Sequence, residues 1–308
     1  GHRGGAAGRV GANLLVRFPD AHAAAPVVAT LRHELWQQRK PGSRPPAIFK
    51  GYETTRIEDD PTYHGLTPGG RRPLALVGRT VDVALTSAAF PMDATPGRHL
   101  AVVGTSPVGA DVLRAATVSL ARQTTRGSAR FLVAPLVAAA DDAADETVDD
   151  LVAAGHPVTR LDPAALRDEI RKLADTSVPT PTARTYLVAF GMDGASAVLA
   201  ARDENFRSGL DDLQTLLRQG PGYGVHLLGW WRGLRRLADD LGGAHNRDDV
   251  ACLVALNVSG AELGSYLGIQ DLPYTPRPNR ALLIDRHDQR VRLIVPYVRD
   301  GYELDEGE

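Results

Sequence analysis

From about position 73 onward, short runs of consecutive apolar residues alternate with stretches in which apolar residues return every three or four positions. "LAVVG" (100–104), "ARFLVAPLVA" (129–138), "RTYLVAFGMD" (184–193), "VHLLGWW" (225–231) and "VACLVALNV" (250–258) read as strands, and their continuous apolar character predicts cover on both faces. Between them, 110–123 gathers Val112, Leu113, Ala116, Leu120 and Ala121 on one helical face, and 208–219 gathers Leu210, Leu213, Leu216 and Leu217. Asp162 followed by Pro163 marks a helix start, with a capping carboxylate and a proline where no N–H is needed. Shorter helices are expected in "DETVDDLVAAG", "RGLRRLADDLG" and "SGAELGSYLG", and closing strands in "RALLIDR" and "VRLIVPYV". "PLALVGRTVDVALT" (73–86) reads as two short strands around a turn at Gly78-Arg79. Strand and helix in alternation predict an α/β layered fold with a largely parallel sheet.

Upstream the pattern thins. Residues 1–12 are rich in Gly, Ala and Arg, "NLLVRFPD" (13–20) reads as a strand, and 21–40 reads as a helix. That helix carries Val27, Val28, Leu31, Leu35 and Trp36 toward one face. A proline-rich break and a polar stretch follow, so 1–72 is expected to be an accessory segment and 73–308 the main domain.

Composition narrows the function classes. The 308 residues are 43% hydrophobic and 23% charged, with a formal net charge of −2, so no global field draws the chain to nucleic acid or an anionic membrane. Lys40, Lys50 and Lys172 are the only lysines, which leaves three candidates for any site that requires one. The single Cys252 excludes an internal disulfide, fits a reducing compartment, and lies in an apolar run as an inert core thiol would. No apolar run reaches the ~18–20 residues of a membrane span, and no signal peptide is evident, so a cytoplasmic location is expected. The absence of an initial methionine suggests a piece of a longer polypeptide. The nine histidines show no zinc spacing, and His226 reads as structural. The acidic pairs between Asp141 and Asp150 read as a solvated helix face. Ser106 lacks the spacing of a nucleophile elbow.

The informative stretch is Gly104-Thr105-Ser106-Pro107-Val108-Gly109-Ala110-Asp111, between a buried strand and a helix. A phosphate-binding loop has the form G-x-x-x-x-G-K-[ST] in that context: backbone N–H groups cradle the phosphates, the lysine offsets their charge and the hydroxyl holds magnesium. Both glycines are in place here, but Ala110 stands at the lysine and Asp111 at the hydroxyl. Pro107 removes one N–H, and a carboxylate at Asp111 takes the position that attracts phosphate and is expected to cap the helix instead. Arg114, one turn on, is the nearest substitute cation.

Taken with "GVHLL" (224–228), "ALNVS" (255–259) and the closing "PNRALLIDR", this stretch resembles the FtsK/SpoIIIE family of P-loop DNA translocases over roughly 75–300. The resemblance implies a RecA-like P-loop NTPase, a three-layer α/β sandwich with a mostly parallel central sheet. The chain departs from the family where the chemistry lies. The family's Ala-Thr-Gln-Arg sensor corresponds to Gly229-Trp230-Trp231-Arg232, and its apolar strand ending in Asp-Glu corresponds to one ending in Gly191-Met192, with Asp193 beyond. Lysine, hydroxyl, acidic pair and sensor are thus all altered. The pattern resembles the degenerate modules of multi-ATPase proteins, including type VII secretion ATPases. It implies a module without ATP hydrolysis, structural or regulatory in a larger translocase, with other ATPase modules as partners and no cofactor. On the alternative reading the chain is a ring-forming DNA translocase that binds ATP and magnesium through Gly104, Thr105, Ser106, Val108, Gly109, Ala110 and Asp111 and contacts double-stranded DNA. A protein- or peptide-docking domain is the third reading. Trp230, Trp231, Arg232, Arg235 and Arg236 are the candidate DNA or partner contacts, with one tryptophan expected to fill the nucleotide pocket and the other to lie on the surface.

Overall fold

The computed structural model describes residues 9–10, 13–14, 25–40, 42, 53–82, 85–175, 184–270 and 272–302. β1 (Arg9–Val10) and β2 (Asn13–Leu14) form a two-residue antiparallel ladder, and α1 (Ala25–Gln37) follows. The remainder of the strand expected over 13–20 lies outside the described residues. α2 (Pro61–Gly65) leads into β3 (Leu74–Thr80) and β4 (Ser87–Pro91). Next come β5 (Leu100–Val103), α3 (Val108–Arg122), β6 (Ala129–Pro135), α4 (Asp141–Ala153) and β7 (Val158–Arg160). α5 (Pro163–Ala174), β8 (Arg184–Phe190), α6 (Ser196–Ala200), α7 (Gly209–Gln219) and β9 (Val225–Trp231) continue the alternation. α8 (Leu234–Asp240), β10 (Cys252–Ala255), α9 (Gly260–Leu267), β11 (Ala281–Asp285) and β12 (Arg290–Pro296) complete it.

Ten strands form one sheet in the order β4-β3-β12-β11-β10-β5-β9-β8-β6-β7. The run from β10 to β7 is parallel throughout, and β11, β12, β3 and β4 extend it antiparallel. Helices cover both faces, which is why the central parallel strands β5, β9 and β10 are buried along their whole length. Leu100, Val102, Phe131, Val133, Tyr186, Val188, Leu228 and Trp230 face the α3–α4 layer. Their neighbours Ala101, Val103, Leu132, Ala134, Leu187, Ala189, Leu227 and Trp231 face the layer of α5 to α9. A third cluster joins Ile57 to Leu76, Ala115, Val118 and Tyr297.

The expected turn at Gly78-Arg79 is not formed: β3 runs straight through both residues. A register irregularity between Leu76 and Gly78 marks the place, and a Cβ on Gly78 would collide with the Val295 carbonyl. The glycine therefore serves close strand approach rather than chain reversal, and tertiary pairing overrides its local turn preference. Asp162 caps α5 as expected, accepting from the Ala165 N–H at 2.8 Å. Ser208 and Asp211 close a reciprocal capping box at α7.

The buried polar groups of the core are structural. His99 Nδ1 accepts from the Leu227 N–H at 2.8 Å, leaving Nε2 to donate to the Leu217 carbonyl at 3.0 Å. Burial pushes His99 down to about 3 and His226 to about 4, so both stay neutral. Burial likewise pushes the Cys252 thiol up to about 12, as befits an inert core group.

The topology fixes where a ligand would sit. β5 has β10 on one side and β9 on the other, while the next strands of the chain lie beyond β9. α3, which follows β5, packs on one face and α8, which precedes β10, on the other. The chain thus changes direction at β5, and a crevice opens beyond its carboxyl end.

Candidate functional site

The loop 104–107 stands at that crevice, and α3 starts at Val108. In a phosphate cradle the backbone N–H groups of such a loop point at the ligand. Here five of them are bonded within the protein. Gly104 N donates to the Trp231 carbonyl (3.0 Å), Ser106 N to Asn257 Oδ1 (3.2 Å) and Val108 N to Ser106 Oγ (3.4 Å). Gly109 N donates to the Ser106 carbonyl and Ala110 N to the Pro107 carbonyl, each at 3.0 Å. Pro107 has no N–H to give.

Two side chains from the sheet hold the loop in this state. Asn257, just past β10, spans it: its Oδ1 takes the Ser106 N–H, and its Nδ2 donates to Thr105 Oγ1 at 2.6 Å. Trp230, at the end of β9, is 2% exposed and donates its indole N–H to the Gly104 carbonyl at 2.8 Å. The same ring lies under the start of α3, where a Cβ on Gly109 would meet it at 2.5–2.7 Å. The second glycine of the motif therefore makes room for an indole of the chain itself.

Trp231 points to the opposite layer, is fully buried, and donates to Asp240 Oδ2 at 2.8 Å. This corrects the expectation that one of the two tryptophans lies on the surface: successive strand residues face opposite layers, and both layers are covered. Arg236 is drawn to the same carboxylate, Asp240 Oδ1, at 2.6 Å. Arg232 and Arg235 are exposed, and the Arg232 backbone N–H is tied to Asp193 Oδ2 at 2.9 Å.

Asp111 does not cap α3. Pro107 occupies the N-cap position without a side-chain hydrogen bond, and Asp111 turns instead to the far end of the chain. It accepts from Arg299 Nε at 2.6 Å and from the Arg299 backbone N–H at 3.3 Å. Burial pushes the Asp111 carboxyl above the usual carboxylate range, and Arg299 opposes that shift. Arg299 also reaches Glu146 at 2.9 Å. Arg114 is no substitute for the missing lysine, because Glu58 (2.9 Å), Glu146 (3.3 Å) and Asp150 (2.8 Å) surround it. The α4 carboxylates are accordingly not a purely solvated face: Asp145, Glu146 and Asp150 all pair with arginines.

At the end of β8 the acidic pair is absent in space as well as in sequence. Gly191 adopts a left-handed backbone (φ 89°) with Val137 pressed against it, and Met192 is fully buried. Among the described residues no group of three His, Cys, Asp or Glu side chains could hold a metal ion. Among the described residues the usual ligands of a phosphate and its magnesium are thus not assembled: Ala110 and Asp111 stand at the motif's lysine and hydroxyl, no acidic pair closes β8, and five of the loop's N–H groups are bonded within the chain. A cleft of about 410 Å³ does open over the loop, between Ser106 and Asn257 on one side and Arg277, Arg280 and Val298 on the other.

Asn257 and Arg299 were not foreseen from sequence. Asn257 follows a buried strand at its carboxyl end, where a ligand crevice forms, but only the strand order brings that end beside the loop after β5.

No family model and no curated protein matches the sequence. Among solved structures, the cytoplasmic domain of the type VII secretion ATPase EccC from Thermomonospora curvata is similar, with TM-score 0.57 and 17% identity over 92% of this chain. EccC ATPases 2 and 3 from the same organism, in complex with a signal sequence peptide, give TM-score 0.57 and 17% identity over 94%. The pCW3 conjugation coupling protein TcpA, in its monomer form with ATPγS, gives TM-score 0.52 and 12% identity over 82% of this chain and 71% of its own. This chain spans 32% and 52% of the two EccC structures. The fold is the RecA-like P-loop ATPase fold that the resemblance to FtsK/SpoIIIE translocase domains implied.

Proposed function

We propose that this chain is a pseudo-ATPase module: a P-loop ATPase frame that neither binds nor hydrolyses ATP and serves a structural or regulatory role beside other ATPase modules. One observation carries the reading. The loop that would cradle the phosphates commits the N–H groups of Gly104, Ser106, Val108, Gly109 and Ala110 to the chain's own acceptors, with Asn257 across it and Trp230 beneath it. Loss of the charges compounds this, since a single preorganised donor to the developing charge is worth about 3 kcal/mol or more in comparable active sites. The similar EccC structures contain several ATPase domains, and this chain spans only part of their length, which supports neighbouring modules as partners. No helix among the described residues is long and apolar enough to cross a membrane; a cytoplasmic place for the module is supported by its likeness to the cytoplasmic domain of EccC. DNA contact has less support, because Arg236 is committed to Asp240 and the net charge is −2.

The reading is tested by phosphate release from ATP and magnesium, with and without double-stranded DNA. The expected rate is indistinguishable from a protein-free control in both cases. Release that rises on adding DNA and falls steeply with salt would establish the translocase reading in its place.

A further inference from the structure

Exposed large apolar side chains cluster on α1. Val27 (61%), Leu31 (53%) and Leu35 (60%) form a stripe at four-residue spacing, and none of them belongs to any core cluster of the described residues. The three span about 12 Å along one helix face. Elsewhere the same chain carries an apolar groove of about 620 Å³, walled by Leu272, Tyr274, Leu282, Val291 and Leu293, with Ile269 (42% exposed) at its rim. A stripe of side chains at i, i+4 and i+8 is what a groove of this kind accepts from a helix. The charges agree. Arg277 and Arg280 line the groove and repel one another, and no carboxylate of the described residues pairs with Arg277. Glu34 borders the stripe, while Arg32 lies on its other side.

We propose that two copies of this chain exchange α1 helices, the Val27–Leu31–Leu35 stripe of each seated in the Leu272–Leu293 groove of the other, with Glu34 set against Arg277. Each copy has one stripe and one groove, and a reciprocal exchange about a two-fold axis fills both at once and leaves neither open. The reciprocal exchange makes the helix-in-groove contact twice, which doubles the area set against the ~1,200 Å² of a stable specific interface. The dimer is independent of nucleotide and goes beyond the reading of the phosphate loop.

Sedimentation equilibrium of the full chain tests it. The wild-type protein is expected to be dimeric at tens of micromolar, and Leu31→Asp and Ile269→Asp are each expected to weaken the dimer at least tenfold. Leu31 stands on a free helix face, so its replacement leaves the core intact even if Ile269→Asp disturbs its own loop. A chain carrying both Leu31→Cys and Ile269→Cys then fixes the route, because Cys252, the sole native thiol, is buried. Oxidation is expected to give a covalent dimer. A wild-type protein that is monomeric throughout, or a disulfide closed within one chain, would overturn the exchange.

Discussion

Trp230→Ala is expected to destabilise the protein by about 3–5 kcal/mol, the range for removing a large buried aromatic from a packed core. The figure combines three losses: the transfer free energy of the indole, the cavity it leaves, and the hydrogen bond to the Gly104 carbonyl. Little can collapse into the gap, because Gly109 above it has no side chain and sits at the start of a rigid helix. Trp230→Phe keeps most of the ring and loses the N–H, and about 1–2 kcal/mol is expected. Equilibrium denaturation in urea measures both through the midpoint and slope. A cost below about 1 kcal/mol for the alanine variant would mean that the ring is not the floor of the loop but a mobile occupant of a ligand site.

Arg299→Ala is expected to cost about 2–4 kcal/mol, somewhat below the range for breaking a fully buried ion pair, because Arg299 is partly exposed. The asymmetry between partners is the sharper test. Asp111→Ala removes the buried charge together with its need for a partner, so it is expected to cost less than Arg299→Ala, and the double variant to resemble Asp111→Ala. The pH dependence has a definite sign. Burial already raises the folded-state Asp111 carboxyl above its ordinary value, and without Arg299 it rises further. A folded state that binds the proton more tightly than the unfolded chain gains stability as pH falls through that raised value. The deficit of Arg299→Ala relative to wild type should therefore shrink between neutral pH and pH 4, read by denaturant titration at each pH. A deficit constant with pH would place the cost in lost packing of the arginine stem.

These two residues show how the site differs from a functional cradle. In a working loop the helix N-terminus and a lysine await an anion that arrives with substrate. Here the equivalent charges are internal and permanent. Asp111 holds Arg299, Arg114 holds three carboxylates, and the loop amides hold Asn257 and their own neighbours. The frame is kept as a frame.

Much of that frame was legible. β9 matches "VHLLGWW" residue for residue, since a fully apolar run bounded by Gly224 and Gly233 has few other uses. Asp162-Pro163 starts α5 where capping chemistry requires. The loss of the motif lysine and hydroxyl at Ala110 and Asp111 needs no structure at all. What could not be read is contact between distant parts of the chain. Asn257 meets Thr105 across 152 positions and Arg299 meets Asp111 across 188, and neither pairing leaves a local signature. The surface placement of a tryptophan failed for the same reason: whether a strand's last residue is covered depends on α8 and its Asp240, not on the strand. Gly78-Arg79 failed through turn propensity, which the pairing of β3 with β12 overrode.

Calorimetric titration of ATP with magnesium into the intact chain tests the account most directly. It predicts no saturable heat up to millimolar nucleotide, with the tryptophan fluorescence unchanged over the same range. Saturable micromolar binding that shifts that fluorescence would contradict it, since the nucleotide would then have displaced the side chains of Asn257 and Trp230 from the loop.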